Sequence, residues 1–470
     1  MTSAENTELN ALAQRSIDGA TRHLISAAKT VYGTPETGFN EHKTSNYVLE
    51  QLRGIGLSVE TGIARTGMKA VLHGSSPGPT VAVIAELDAL RVPGHPGANA
   101  ETGAAHACGH HAQIGSLLGV AMALNTPEIK KSLSGNVAFI ITPAEEFIDI
   151  GERLTLKASG AIEFLSGKQE MIRLGTFDDV DMAMMVHTSA TNGDSAFSIG
   201  GTSTAHVSHQ VRYLGKSAHA GGAPDQGVNA LQAAMIANLA INTQRETFRE
   251  ADVVRVHGII SSGGTSVNAI PSDVLYEGRV RARMVEAIST VAERVIRCYR
   301  AGALALGTAV EVQTIAGYHP LRQDPSMQEV FARNVERIIG PDSITIVPDD
   351  RTTGGSTDMG DLSMILPLIH PYVNSASGVG HGHDYLIEDY NRAVIAPAKV
   401  MATTIIELLG GGAGTAREAL DKYKPTMTAD QYVAAQREQF TIETYEPQQS
   451  HLAHGDEVTG NIAELPVKPA

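Results

Sequence analysis

The sequence predicts an α/β protein, in which a domain with a mostly parallel sheet is interrupted by a smaller α+β domain. Several short apolar runs are continuous rather than alternating, which is typical of parallel strands buried on both faces. Helical patterns lie between these runs. Strands that alternate with helices favour an α/β/α arrangement around one sheet.

The elements of the larger domain follow one another along the chain. A long helical pattern occupies residues 8–32, and a second one, IGSLLGVAMALN, occupies 114–125. Buried strands are expected at four apolar runs: TVAVIAEL (80–87), NVAFIIT (136–142), DMAMMVH (181–187) and MILPLIHPYV (364–373).

The region from about 200 to 315 has a different pattern. HVSHQVRYLG and VLYEGRVRARM indicate strands of a sheet with one open face, and the patterns at 228–244 and 288–306 indicate its helices. The end of the chain changes again, with two short helical patterns and a final stretch expected to be loosely attached. The predicted division is a first part at 1–199, an inserted domain at 200–315, a return to the first domain at 316–410 and an extension at 411–470.

Composition excludes several classes of protein. The chain has 470 residues and a net charge of −15, which argues against nucleic acid or an anionic membrane as a partner. Its longest apolar runs are too short to span a bilayer. Two cysteines, Cys108 and Cys298, make no disulfide framework, and the polar N-terminus lacks the apolar core of a signal peptide. These features predict a cytoplasmic location.

Reactive side chains follow the predicted strands at the points where the strands end. Because ligands in open α/β sheets bind outside the carboxyl ends of the strands, we expect these side chains to meet. The residues concerned are Asp88 after the first run, Glu145 and Glu146 after the second, and His187 at the end of the third.

The stretch AAHACGHHAQ (104–113) adds Cys108 and His110 in a glycine-containing turn before a helix. Thiolate, imidazole and carboxylate are metal ligands, and a spare carboxylate beside them can move protons, which is typical of a two-metal hydrolase. Two alternatives remain open on the residues alone. One is a buried structural cysteine beside surface histidines, and the other is a Cys/His nucleophile pair.

Motifs in a fixed order carry a family resemblance over residues from about 10 to 410. The chain resembles the aminoacylase/carboxypeptidase family of two-metal metallopeptidases. Within it, the chain is similar to the amidohydrolase branch of auxin-conjugate, hippurate and aminobenzoyl-glutamate hydrolases. The matching segments are PETGFNEH (35–42), ELDAL (86–90), AHACGHH (105–111), PAEE (143–146), GKSAHA (215–220), GGTSVNAIP (263–271) and STDMGDLS (356–363).

The resemblance implies two divalent metal ions per chain, zinc or manganese, with cobalt or nickel also allowed. His381 is the last ligand by the family spacing to Tyr385, and His383 is the competing choice. The implied ligands are Cys108, His110, Glu146, His187 and His381, with Cys108 bridging the two ions.

The resemblance also implies roles for residues around the metals. Glu145 would be the general base that activates the water. His219 and Asn268 would stabilise the oxyanion, often from the partner subunit. Arg281 would bind a substrate carboxylate, or is an ordinary strand arginine. Asp88 would orient a ligand, or is a plain turn residue.

The implied function is hydrolysis of the amide bond of an N-acyl or N-aroyl amino acid by a metal-activated water. The larger domain would be catalytic, and the insert would be a ferredoxin-like lid and dimerisation domain, giving a homodimer or higher homo-oligomer. The chain departs from the family pattern at Arg91, at His111 and in the long segment at 91–104, and we expect these residues to border the active-site mouth; it also departs at Phe147. Two alternatives therefore remain: a hydrolytic deaminase of an amino-aromatic compound, and an inactive metal-binding relative.

Overall fold

The computed structural model describes residues 3–190, 195–352 and 354–446. The final stretch that we expect to be loosely attached lies almost wholly outside these residues. No helix in the described part of the chain is long and apolar enough to cross a membrane. The α-helices are α1 (Ser3–Tyr32), α2 (His42–Gly54), α3 (His110–Leu124), α4 (Pro127–Ser132), α5 (Ile150–Ala158), α6 (Gly167–Arg173), α7 (Ala230–Gln244), α8 (Val285–Leu306), α9 (Pro325–Ile339), α10 (Met359–Leu362), α11 (Ala396–Leu409), α12 (Gly414–Lys422) and α13 (Ala429–Gln439).

The strands fall into two large sheets, one of four strands and two short pairs. They are β1 (Val59–Ile63), β2 (Gly67–His73), β3 (Ser76–Glu86), β4 (Leu90–Arg91), β5 (Ala104–Ala105), β6 (Ser134–Thr142), β7 (Met182–Met184), β8 (His187–Ser189), β9 (Phe197–Thr202), β10 (Ala205–Leu214), β11 (Arg255–Ser262), β12 (Asp273–Ala282), β13 (Ala309–Ala316), β14 (Ile344–Thr352), β15 (Leu368–Ile369), β16 (Tyr372–Asn374), β17 (Ala376–Ser377), β18 (Leu386–Ile387) and β19 (Thr441–Tyr445).

The six-stranded sheet has the order β1-β2-β6-β3-β7-β15. Neighbours from β6 to β15 are parallel, and β2 is antiparallel to both of its neighbours. Along β3, Val81 and Val83 face a core that includes α1, α3 and α11, whereas Ala82 and Ile84 face a second core that includes α6 and α10. Burial on both faces explains the continuous apolar run and confirms the predicted α/β class.

Two of the predicted strands are each divided in the structure. The run at 181–187 gives β7 and then β8, and the run at 364–373 gives β15 and then β16. In the second run Pro371 separates the two pieces, and proline cannot donate to a sheet ladder. β15 pairs with β7 in the large sheet, while β16 pairs with β8 in the four-stranded sheet. The expectation of one strand in each run was wrong, because within each run the chain passes from the six-stranded sheet to the four-stranded sheet.

The five-stranded sheet is antiparallel, with the order β11-β12-β10-β13-β19. Along the chain, β10, α7, β11, β12, α8 and β13 follow the βαββαβ order of a ferredoxin-like unit. Residues of both helices pack on one face of this sheet, around Val211, Tyr213 and Tyr276. The opposite face carries polar side chains and lies toward the site described below. The exact limits at 200 and 315 stay a prediction.

The C-terminal extension is attached to both parts of the molecule. The short helices expected there are α12 and α13, and Tyr432 of α13 is fully buried against the core of the six-stranded sheet. The chain then forms β19, which pairs with β13 of the five-stranded sheet. The fifth strand was not predicted from the sequence.

Candidate metal centre and active site

The candidate site lies where β3, β6 and β8 meet the start of α3. Asp88 follows β3, Glu145 and Glu146 follow β6, and His187 begins β8. The parallel arrangement of β3 and β6 brings their carboxyl ends to one edge of the sheet. The predicted meeting of these side chains at the strand ends is therefore observed.

The turn before α3 depends on Gly109. This residue has a left-handed φ of +101°, and a Cβ atom there would lie 2.0 Å from the hydroxyl oxygen of Thr188. Only glycine fits this close approach without a shift of the neighbouring strand. The turn places Cys108 outside the helix and His110 at its first position.

His110 and His187 are both hydrogen-bonded through Nδ1. Nδ1–H of His110 donates to the carbonyl oxygen of Asp88 at 2.8 Å, and Nδ1–H of His187 donates to the carbonyl oxygen of Thr188 at 2.7 Å. Nε2 is therefore the ring atom that each histidine could offer to a metal, with the ring oriented by its Nδ1 hydrogen bond. Nε2 of His187 lies 3.3 Å from Sγ of Cys108.

The Glu145–Glu146 peptide is held from several sides. Ala144, just before it, has a left-handed φ of +50°, and its N–H donates to the Glu41 carboxylate at 2.8 Å. The N–H of Glu146 donates to Asp88 at 2.9 Å. Asp88 thus contacts both His110 and Glu146, as expected of a residue that orients ligands.

His381 reaches the same centre from the C-terminal part of the chain. Its Nε2 lies 3.3 Å from Oε1 of Glu146, an atom that has no hydrogen-bond partner among the described residues. Cys108, Glu146 and His381 form one group of donor atoms within 4.8 Å of one another, and Cys108, His110 and His187 form a second. His383 joins no such group in the part of the chain that the structure describes. This geometry favours His381 over His383.

The charge of the site favours cations. Its only lysine, Lys168, is completely buried and forms ion pairs at 2.5 Å with Glu86 and with Asp358. No other lysine or arginine of the described chain forms an ion pair with the buried carboxyl groups of the site, which are Glu86, Asp88, Glu145, Glu146 and Asp358. Buried charges need partners, so this excess of carboxylates, together with the thiol and the imidazoles, fits divalent metal ions.

Two pKa shifts separate the possible chemistries. Burial, then the carboxylates Glu146 and Glu145, raise the pKa of the Cys108 thiol well above its usual value. These surroundings do not produce a free thiolate nucleophile, but a bound cation would deprotonate the thiol. Burial, then Glu86 and Glu146, raise the pKa of Glu145 well above that of an ordinary glutamate.

A cavity of about 530 Å³ opens beside these donors. Arg281 lines it, as do Glu145 and His381. His219 and Asn268 do not: both lie on exposed loops of the insert, where the N–H of Ala220 donates to the carbonyl oxygen of Asn268 at 2.9 Å. The structure therefore brings together every predicted site residue except these two.

Among the departures from the family pattern, Phe147 lines the cavity, whereas His111 and residues 91–104, which were expected to border its mouth, do not. His111 is instead buried beside Tyr32 and Tyr390, with its Nε2 3.2 Å from the Tyr390 hydroxyl, because the first turn of α3 points it away from the sheet edge. Arg91 pairs with Asp149 at 2.7 Å.

Sequence reasoning missed four residues that support the site. Glu86 lies 3.1 Å from Nε2 of His110, Lys168 and Asp358 complete its ion-pair network, and Glu41 anchors Ala144. Glu41, Glu86 and Asp358 lie in the matching segments PETGFNEH, ELDAL and STDMGDLS, and this was a usable signal. Lys168 lies in none of the matching segments.

Comparison with known proteins decides the family. The model of peptidase family M20/M25/M40 matches residues 82–407, more than half of the chain. The chain belongs to this family. The predicted resemblance is thereby confirmed, and this M20 protein is a metallopeptidase-type hydrolase that acts on amide or peptide bonds.

Relatives of this M20 enzyme differ in what they act on. It is 27% identical to an Xaa-Arg dipeptidase of Mus musculus, over 86% of this chain and 90% of the relative. It is also 27% identical to an N-acyl-L-amino acid amidohydrolase of Geobacillus stearothermophilus, over 66% of this chain and 80% of the relative. Among solved structures, the chain is similar to a dinuclear metal-binding M20 peptidase of Bacillus subtilis, with a TM-score of 0.61 and 20% identity. The match covers 83% of this chain and 99% of that structure. This last likeness supports the fold.

Proposed function

We propose that this chain hydrolyses the amide bond of an N-acyl or N-aroyl amino acid with two divalent metal ions. The observation that carries the proposal is the convergence of one thiol, three imidazoles and two adjacent carboxylates beside one cavity. The N-acyl-L-amino acid amidohydrolase among the relatives supports the choice of substrate class.

Five side chains would hold the ions. Of the four three-residue donor groups among the described residues, Cys108 belongs to two, one with His110 and His187 and one with Glu146 and His381, which supports its assignment as a ligand that both ions would share. Its thiolate favours zinc, and the carboxylates also suit manganese. Two bound ions would polarise the scissile carbonyl and lower the pKa of a water molecule. The proposed ligands are Cys108, His110, Glu146, His187 and His381.

Glu145 is the proposed general base. Its raised pKa suits a carboxylate that accepts a proton from the attacking water and then donates it to the leaving amine nitrogen as the C–N bond breaks. Its neighbours Glu86 and Asp358 are held by Lys168, so their positions are fixed while Glu145 exchanges the proton.

We further propose a homodimer in which each cavity receives the partner's His219 and the partner's Asn268. β12 has ten residues, about 30 Å of strand, with Arg281 near one end and the loop of Asn268 before the other. This separation supports a role for Asn268 in a second subunit. Exposed apolar residues on α7 and the edge strand β11 would form the interface: Met235, Leu239, Ile259 and Ile260.

Product analysis by mass spectrometry tests the reaction. We expect metal-loaded protein to release a free amino acid from N-acyl or N-aroyl amino acids, and to lose this activity on chelation. Amino-aromatic acids are assayed in parallel, and ammonia release from them with the amides intact would instead establish a deaminase. Hydrolysis that survives complete chelation would contradict a metal mechanism and favour Cys108 as nucleophile.

The variant Glu145→Gln tests the base. We expect kcat to fall by about 10²- to 10⁴-fold, because the proton acceptor is lost while the shape is kept. Metal content should stay unchanged. Glu418→Gln, on the surface helix α12, is the matched control and should retain activity. Full activity in Glu145→Gln would rule out the proposed mechanism.

A further inference from the structure

Three arginines of the insert line the same cavity as the candidate catalytic residues. Arg279 and Arg281 alternate along β12 and therefore point to the same open face of the sheet. Arg255 of β11 lies directly opposite Arg281 in the antiparallel register. On the other side of Arg281, the opposite residue is His206 of β10, so three adjacent strands form one row of nitrogen donors.

These guanidinium groups contact neutral oxygen atoms. Arg279 donates to the carbonyl oxygen of Phe147 and to the Ser208 hydroxyl, and Arg281 donates to the Ser356 hydroxyl at 2.6 Å. None of the three arginines forms an ion pair within the described chain. Elsewhere in the molecule arginines do pair with carboxylates, as Arg212 does with Asp273 at 2.5 Å.

His206 adds an independent indication of a ligand. It is 2% exposed and lines the cavity, and neither of its ring nitrogens has a hydrogen-bond partner among the described residues. Burial and the nearby Arg279 and Arg281 lower its pKa well below the usual value, so the ring stays neutral and presents one N–H. Its position in the row beside Arg281 lets it donate to the same ligand.

Such a cluster is costly without an anion. Like charges that face each other across strands repel, and a buried charge without a counter-ion is unfavourable. Burial, then Arg281, lower the pKa of Arg279 to about 10, which still leaves it charged at neutral pH. The carboxylates that line the cavity together with the row, Glu145 and Glu146, belong to the proposed metal centre. Glu277 lies on the same face of β12 two residues before Arg279, but it forms no ion pair with the row among the described residues. A substrate anion would therefore supply the missing countercharge.

We propose that Arg279, Arg281, Arg255 and His206 form a binding site for two anionic groups, and that the substrate is a dianionic amide. The inference rests on the proposed amidohydrolase function and adds to it: Arg281 would bind the first carboxylate, and Arg279, together with Arg255, would bind a second. The ring of Phe147, with the Arg279 guanidinium 5.3 Å from its centroid, forms one wall of this site.

Binding measurements can test the site without turnover. We would use metal-loaded protein carrying Glu145→Gln, and titrate it calorimetrically with N-benzoyl-glutamate and with N-benzoyl-glutamine, which are similar in size and differ by one charge. We expect the glutamate compound to bind about 10- to 100-fold more tightly, the effect of a charged hydrogen-bonded pair. Equal affinities, or no binding of either compound, would overturn the inference.

The arginine variants then locate the effect. Adding Arg279→Gln should abolish the preference and leave the glutamine compound's affinity nearly unchanged. Arg279→Lys should keep part of the preference. Arg212→Gln, on the same sheet but outside the cavity, is the control and should keep all of it. Should Arg279→Gln fail to fold, the exposed Arg255→Gln serves in its place, with a smaller loss expected. A preference that survives both Arg279→Gln and Arg255→Gln would show that these arginines are structural.

Hydrolysis of the two compounds, measured with Glu145 intact, separates this inference from the proposed function. Arginine-dependent binding without release of an amino acid would refute the amidohydrolase and support the anion site. Efficient hydrolysis of both compounds at equal kcat/KM would support the amidohydrolase and refute the anion site.

Discussion

At the scale of single residues, two histidines two positions apart have different surroundings. The backbone N–H of His381 donates to the carbonyl oxygen of Ala107, next to Cys108, at 2.9 Å. The backbone of His381 has a left-handed φ of +65°, and its ring faces Glu146. His383 lies beside Gly94 of the segment at 91–104. The anchored backbone therefore selects one histidine of the pair.

We expect His381→Ala to lower metal occupancy and His383→Ala to leave it unchanged, because only His381 shares a donor group with Cys108 and Glu146. Metal content after dialysis, measured by elemental analysis, distinguishes the two. The opposite result would move the ligand to His383.

Glu41 illustrates how a buried carboxyl group supports the site at an energetic cost. Burial, then the neighbouring Asp88, raise its pKa to about 7, although hydrogen bonds from Thr66 and Ala144 oppose the shift. Because the folded state holds this proton more tightly than the unfolded state, the stabilisation is complete below about pH 4.5. It is lost as the pH rises through about 7.

Glu41→Gln should remove this dependence, since an amide keeps the acceptor for Ala144 and does not ionise. The free energy of unfolding of the variant, relative to the original chain, should rise between pH 4.5 and pH 7 by up to about 3 kcal/mol. Urea unfolding at several pH values measures it. A difference that is constant over this range would contradict the shifted pKa.

The convergence of the donor side chains was predictable at the residue scale, whereas the residues that support them were not. Cys108, His110 and the two glutamates lie in short motifs whose residue types indicate metal binding and proton transfer. Lys168 lies in SGKQEM, which has no feature of a site until folding places it between Glu86 and Asp358. His219 and Asn268 carry motifs too, yet they lie away from the cavity of their own chain.

At the scale of elements, the C-terminal extension joins two sheets. Tyr432 of α13 is fully buried, and its hydroxyl donates to Asp361 at 2.9 Å. The Gln436 amide donates to the carbonyl oxygen of Gly317, at the end of β13. β19 then adds itself to that strand, and Arg300 pairs with Glu443. Helix and strand thus hold the insert and the large sheet together.

We expect Tyr432→Ala to destabilise the protein by about 3–5 kcal/mol, the usual result of removing a large buried aromatic ring. Ile442→Ala, in the exposed strand β19, should change stability by less than about 0.5 kcal/mol. Chemical unfolding of both variants provides the comparison. Similar effects for the two would show that α13 does not contribute as a packed element.

The buried strands of the large sheet were predictable because burial on both faces leaves a continuous apolar run. β19 was not, because TIETY is short and mostly exposed, and its partner β13 is distant in sequence. The division of 364–373 into β15 and β16 also escaped prediction. An apolar run does not state which of two sheets each half joins.

At the scale of the whole molecule, the proposed shared site can be tested by complementation. Glu145→Gln and His219→Ala should each be inactive alone. In a mixed dimer, the His219→Ala subunit keeps Glu145 and receives the partner's His219. Random mixing should therefore restore about a quarter of the original activity. The readout is activity after co-refolding, and no recovery despite verified mixed dimers would place both residues in one subunit's site.

The pairing of β19 with β13 also bears on how copies of this chain can associate. A sheet with two uncovered edges can be extended at both ends, so its subunits can add without limit. Within the described chain β19 covers the edge of β13 and becomes the edge strand there, while β11 is the edge strand on the other side. β19 has five residues and β11 has eight, so β19 offers the shorter ladder to another chain. We therefore expect copies of this chain to pair through β11, where a two-fold contact would close the assembly at a pair.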